Sequence, residues 1–304
     1  MRPEWNALRV YAMGLAYRAV DDISRDGFRQ LRNYVDMCAF LARSDPQKHF
    51  FSMAQDALEK TDSLYYPLIQ QVVRTISPDI ICNFGVNLGV DALVCGAAGL
   101  KKQAQESGLP VTWLTVARAD DPGLEACIAE GEERGQFLWV LGCEAETLES
   151  GALLAAAHPK SDFALLMPAA AVTPAAADRL AALHNLMVLL PLDSPEITDE
   201  VHNAVLLLRA HRMFYGFTVR LTAEAAPTAT DSEWLSVLAQ HTPVCIYTHP
   251  ALPAPQAEAL LQDIYASRKA AGVPALLFDW EADCATVGRY ISPLAQVEYR
   301  SHLR

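Results

Sequence analysis

The chain has 304 residues, 52% hydrophobic and 20% charged, with a formal net charge of −12. That length and composition give a globular protein with an ample core and exclude a disordered chain. The acidic balance excludes a nucleic-acid partner, which needs a basic face. The N-terminus shows no secretory signal, no uninterrupted apolar run reaches the roughly 20 residues of a membrane span, and the cytoplasm is the expected compartment.

Residues 1 to 108 read as a helical domain. In "NALRVYAMGLAYRAV", Leu8, Ala12, Leu15, Ala16 and Ala19 fall at spacings that make an amphipathic helix, with Trp5 and Tyr11 beside the stripe. "FRQLRNYVDMCAFLA" repeats the pattern through Phe28, Leu31, Val35, Cys38 and Leu41, and "SLYYPLIQQVVRTI" continues it. The Gly-rich "NFGVNLGVDALVCGAAGL" does not match G-x-G-x-x-G and follows no clear strand. It predicts a helix packed closely through its glycines.

From Pro110 the pattern changes. Short apolar runs recur: "VTWLTV", "FLWVL", "FALLM", "LMVLL", "FYGFTV", "VCIY" and "ALLF". Helical stretches separate them, several opening at a capping residue such as Thr173, Thr198 or Asp231. Strands apolar throughout and alternating with helices are parallel and buried on both faces. Six or seven such units give an open or partial (βα) barrel, or a doubly wound sheet. Either places ligands at the C-terminal strand ends. The polar residues there are Asp120, Glu144, Asp193, Ser194, Arg220, Thr222 and His249.

The order of these strand ends resembles the radical S-adenosylmethionine superfamily over roughly 109–300. "LGCEAE" falls where that family has T-G-G-E-P, "FALLMPAAAVT" where a strand ends in T-N-G, and "LMVLLPLDSPE" where S-x-[DE]-G approaches the ribose. "FYGFTVRLT" and "VCIYTHP" resemble the fifth and sixth strands, and "DCATVGRYISPLAQVEYR" the C-terminal extra-cluster (SPASM-like) segment. The resemblance implies an α/β fold: a partial (βα)6 TIM-like barrel over 109–275, behind the helical domain and ahead of a vestigial segment at 276–304. It implies that Gly142, Glu144 and Asp193 descend from an S-adenosylmethionine site, Glu144 from the acid that binds the amino group and Asp193 from the acid that contacts the ribose.

The departures bear on activity. The family's C-x-x-x-C-x-x-C loop is missing, since "VTWLTVARADDPGLEACIAEG" runs from strand to helix through a few residues. Met167-Pro168-Ala169 replaces T-N-G, and Tyr299-Arg300 stands where the C-terminal segment has Pro-Cys. The seven cysteines, Cys38, Cys82, Cys95, Cys127, Cys143, Cys245 and Cys284, form no C-x-x-C pair, so neither a disulfide scaffold nor a linear metal motif is predicted. Cys143 and Cys245 read as buried small residues rather than nucleophiles, and Glu130, Glu132 and Glu133 as a solvated helix face.

The expected function is therefore that of a cluster-free pseudoenzyme, a non-catalytic partner of an active homologue or of a second copy, or a binding protein. No metal, no iron–sulfur cluster and at most weak S-adenosylmethionine binding are expected. The alternative is a cluster-free enzyme using Glu144, Asp193 and His249 on a small molecule, with Asp120, Ser194, Arg220 and Thr222 as further pocket candidates. A Ser194–His249–Asp120 triad has no G-x-S-x-G elbow to support it.

Overall fold

The structure is a computed structural model that describes residues 3–42, 45–193, 195–249, 252–270, 273 and 275–300. Six helices come first: α1 (Pro3–Arg25), α2 (Gly27–Leu41), α3 (Asp45–Ala57), α4 (Tyr65–Thr75), α5 (Pro78–Val86) and α6 (Ala97–Ser107), with a π-helical segment, Asn87–Gly96, joining the last two. Strands and helices then alternate: β1 (Val111–Arg118), α7 (Leu124–Arg134), β2 (Leu138–Gly142), α8 (Leu148–Ala157), β3 (Asp162–Leu166), α9 (Pro174–Ala181), β4 (Leu186–Leu192), α10 (Asp199–Ala210) and β5 (Tyr215–Arg220). The chain continues through α11 (Ala226–Ala229), α12 (Ser232–His241), β6 (Val244–Thr248), α13 (Ala254–Ala270), β7 (Leu276–Asp279), α14 (Trp280–Ile291) and β8 (Ala295–Tyr299). The predicted caps form: Thr173, Thr198 and Asp231 accept from the backbone N–H groups of Ala176, Val201 and Glu233.

The strands make one parallel sheet in the order β7-β6-β5-β4-β3-β2-β1-β8. Each strand from β1 to β7 adds beside its predecessor, and β8 crosses to the far edge to pair with β1. The α/β class matches the sequence reading, but there are eight strands rather than six. The stretch read as a vestigial segment supplies β7, α14 and β8. No apolar run marks β8, because none of its residues is fully buried and Gln296 and Glu298 break its apolar positions. α14 touches β6, β7, β8 and α6, covering the seam between the two edge strands.

Side-chain alternation divides the core in two. Ala117, Leu141, Leu165, Val188, Phe217 and Tyr247 pack with residues of α7 to α13 such as Ile128, Ala155, Val205 and Ile264. The opposite face presents Val116 and Val140 to Leu100 and Ala104 of α6 and to Ile291 of α14. It also presents Met187, Leu189 and Val244 to Phe84 of α5. The N-terminal helices thus cap one face of the sheet. The continuous helix Pro78–Ser107 is long and apolar enough to cross a membrane by length and composition, but it buries Asn87 and Asp91, both 1% exposed or less. The close packing the sequence predicts holds for part of its glycines: a Cβ on Gly96 would lie 2.2 Å from the Gly135 carbonyl oxygen and one on Gly99 3.3 Å from the Arg134 carbonyl oxygen, whereas nothing lies within 4 Å of one on Gly85 or Gly89.

α1 packs on α5, on the π-helical segment, and on α2 and α4. The stripe of Ala12, Leu15, Ala16 and Ala19 is partly buried, while Leu8 and Tyr11 face outward. Glu132 departs from the expected solvated face. It accepts a 2.6 Å hydrogen bond from Ser161 Oγ and lies 3.2 Å from His158 Nδ1, because α7 sets it against the turn that enters β3.

Candidate functional site

Parallel register sets adjacent residues of one face side by side. Arg118 pairs with Gly142 and Gly142 with Leu166, so these three form the floor of a cleft at the C-terminal ends of β1 to β3. The ladder continues past the strands, with Ala119 N–H donating to Gly142 O at 2.9 Å and Cys143 N–H to Leu166 O at 2.8 Å. Glu144 follows directly and lines the cleft, and a turn in which Glu144 N–H donates to Thr147 Oγ1 at 2.9 Å fixes its backbone. Pro168 and Ala169 form one wall; Pro191, Leu192, Asp193, Glu196, Thr198, Glu200 and Val201 complete the cleft, whose volume is about 570 Å3.

Four carboxylates, Glu144, Asp193, Glu196 and Glu200, therefore face one guanidinium, Arg118. That cation is already committed: Arg118 Nε and Nη2 donate to the two carboxylate oxygens of Asp120 at 2.9 and 3.1 Å. These bonds hold the Asp120 carboxyl below its usual range. The uncompensated charge favours a cation, and the apolar walls favour a ligand with an apolar body. Glu144 and Asp193 are both exposed, so the cleft is open.

The structure brings Gly142, Glu144 and Asp193 together in the cleft; of the other described candidates, Asp120, Arg220, Thr222 and His249, none lines it. Arg220 is exposed at the end of β5, and Thr222 Oγ1 accepts from Ala225 N–H at 3.3 Å, opening the turn into α11. Ser194 lies outside the described residues. Asp120 is spent on Arg118 and does not meet His249. Cys143 is buried, its thiol pushed up to about 12 by desolvation, and Cys245 is raised by the same cause. Both are small buried residues, not nucleophiles.

His249 belongs to a different group. Its Nε2 lies 2.5 Å from Asp279 Oδ2 and 3.6 Å from Glu281 Oε2, at the ends of β6 and β7. Sequence reading passed over Asp279 and Glu281, although "FDWE" directly after the last apolar run carried the signal. It also passed over Arg118, whose strand-end place was plain. Among the described residues, His249, Asp279 and Glu281 are the one set of three or more His, Cys, Asp or Glu side chains that converge closely enough to share an ion.

No family model matches the chain, and no curated protein matches it. A crystal structure of human mitochondrial enolase superfamily member 1 superposes with a TM-score of 0.38 at 11% identity, covering 98% of this chain and 75% of that one.

Proposed function

We propose that this protein is a radical S-adenosylmethionine-like pseudoenzyme of partial-barrel form, a cluster-free binding protein that serves as a non-catalytic partner subunit. The observation that carries the reading is the strand-end cleft. It gathers Gly142, Glu144 and Asp193, the positions the family resemblance singles out, yet pairs them with Pro168 and Ala169. Those two offer the cleft no side-chain hydrogen bond where a nucleotide needs one. The seven cysteines are free, and no three thiols converge among the described residues. The separation of His249 from the cleft weighs against the enzyme alternative, which needs an acid–base group beside Glu144 and Asp193.

Calorimetric titration tests this. S-adenosylmethionine should bind no tighter than about 1 mM, roughly −4 kcal/mol. Micromolar binding that Glu144→Gln abolishes would overturn the reading and restore a working cofactor site.

A protein partner has its own support in α1 to α3. α2 buries none of its residues, and Val10, Tyr11, Phe40 and Phe50 on α1 to α3 are 74, 65, 88 and 59% exposed, large apolar side chains of the kind that anchor interfaces. If a second copy or an active homologue covers this face, light scattering should give a mass above one chain, alone or with the homologue. Val10→Asp with Tyr11→Asp should return it to one chain. A monomer that binds no homologue removes the partner role.

A further inference from the structure

We propose that His249, Asp279 and Glu281 form a binding site for one divalent transition-metal cation, separate from the cleft. The three side chains come from two strand ends and the first turn of α14, and one ligand atom from each lies within 4.8 Å of the others. Imidazole nitrogen and carboxylate oxygen bond a shared ion at about 2.0 to 2.2 Å and so stand about 3 Å or more apart; the 2.5 Å hydrogen bond between His249 and Asp279 would open by that small amount as the ion enters. One imidazole with two carboxylates is a borderline donor set. It suits manganese, iron, cobalt or zinc better than calcium, which takes oxygen ligands alone.

Helix capping explains only part of this arrangement. Asp279 Oδ1 caps α14 by accepting from Ala282 N–H at 2.8 Å. The other oxygen, Oδ2, points to His249 instead, although Asp279 is 1% exposed. Glu281, half exposed at the rim, brings Oε2 to 3.6 Å from the same imidazole. A second layer holds the ligands in place. Asp279 N–H donates to Asp283 Oδ2 at 2.9 Å. Asp283 is gripped by both terminal nitrogens of Arg268, whose Nε donates to Leu277 O at 2.6 Å. Preorganisation of this kind raises metal affinity, because the carboxylate is already oriented before the ion arrives. The site also lies at the C-terminal strand ends, where parallel α/β sheets place ligands. The sequence reading expects no metal, since it sought ligands by linear spacing, and 30 residues separate His249 from Asp279.

The test is titration of the metal-free full chain with Co2+, followed by its visible absorption and by calorimetry. One equivalent per chain should bind saturably. Loss of a supporting group alone weakens metal sites 10- to 100-fold, so His249→Gln and Glu281→Gln, which remove ligands, should each weaken binding by about 100-fold or more. Glu281 is half exposed, so Glu281→Gln should keep the native circular dichroism and thermal midpoint even if His249→Gln does not. No saturable binding below about 1 mM, or equal binding by Glu281→Gln, overturns the site and leaves His249 and Asp279 as a structural pair joining β6 to β7.

Discussion

Gly96→Ala is expected to destabilise the protein by about 3 kcal/mol, the upper range for overpacking a core. The new methyl would sit 2.2 Å from the Gly135 carbonyl oxygen, 2.8 Å from the Asp91 carbonyl oxygen and 3.0 Å from the Phe137 ring. Two of these are backbone atoms and cannot swing aside. Gly135 cannot yield either: its φ is +104°, and its own α-hydrogen side already faces Gly96. The helix would have to lift off the α7–β2 turn, opening the core around Leu100 and Val140. Gly85→Ala in the same long helix should do the opposite. Nothing lies within 4 Å of its would-be methyl, so removing glycine's backbone freedom should stabilise by about 0.5 to 1 kcal/mol. Urea denaturation of the two variants checks both signs, and equal effects would contradict the close approach.

The second large effect concerns charge buried where α1 meets the sheet. Arg9 forms an ion pair with Asp91. Asp162, 2% exposed, accepts from Asn87 Nδ2 at 3.0 Å nearby. There are two acids for one cation. Desolvation raises the Asp162 pKa well above the usual carboxylate value, with the Asn87 bond and Arg9 opposing it. Asp91 touches Arg9 directly, and Asp162 carries its proton to higher pH than an ordinary carboxyl. Arg9→Met leaves the buried Asp91 without its cationic partner and should cost about 3 kcal/mol. Adding Asp91→Asn should recover much of that loss. Asp162→Asn keeps an oxygen for Asn87 and removes the titration. The sign follows from linkage: below about pH 4 the unfolded carboxyl is protonated, as the folded one is. Above that the unfolded chain ionises first, and the folded state loses stability until its own raised pKa is passed. The advantage of Asp162→Asn over wild type should thus grow as pH rises from about 4, and thermal midpoints across that range test it. A constant difference would place the charge on Asp162 throughout.

Much of this architecture is legible in the sequence, and the exceptions have physical causes. β1 to β6 are interior strands of the sheet, so each left an apolar run such as "VTWLTV" or "LMVLL", and the edge strand β7 kept the shorter "ALLF". β8 is an edge strand whose five residues include Gln296 and Glu298, and so short and polar a stretch is a faint signal. The strand-end positions of Gly142, Glu144 and Asp193 follow from the strand pattern, hence the cleft could be anticipated. The His249–Asp279–Glu281 group could not be reached by spacing, because the fold joins β6 to β7 across a helix. Arg9, Asp91 and Asp162 are likewise drawn from three elements with no local pattern between them.

Reconstitution with ferrous iron and sulfide under anaerobic conditions, followed by assay of bound iron and acid-labile sulfide, tests the cluster-free reading most directly. The protein should retain no labile sulfide and show no visible cluster absorption. A single sulfide-free iron would be compatible with the His249 site. About four irons with matching sulfide per chain, the content of one cubane, would contradict the pseudoenzyme reading.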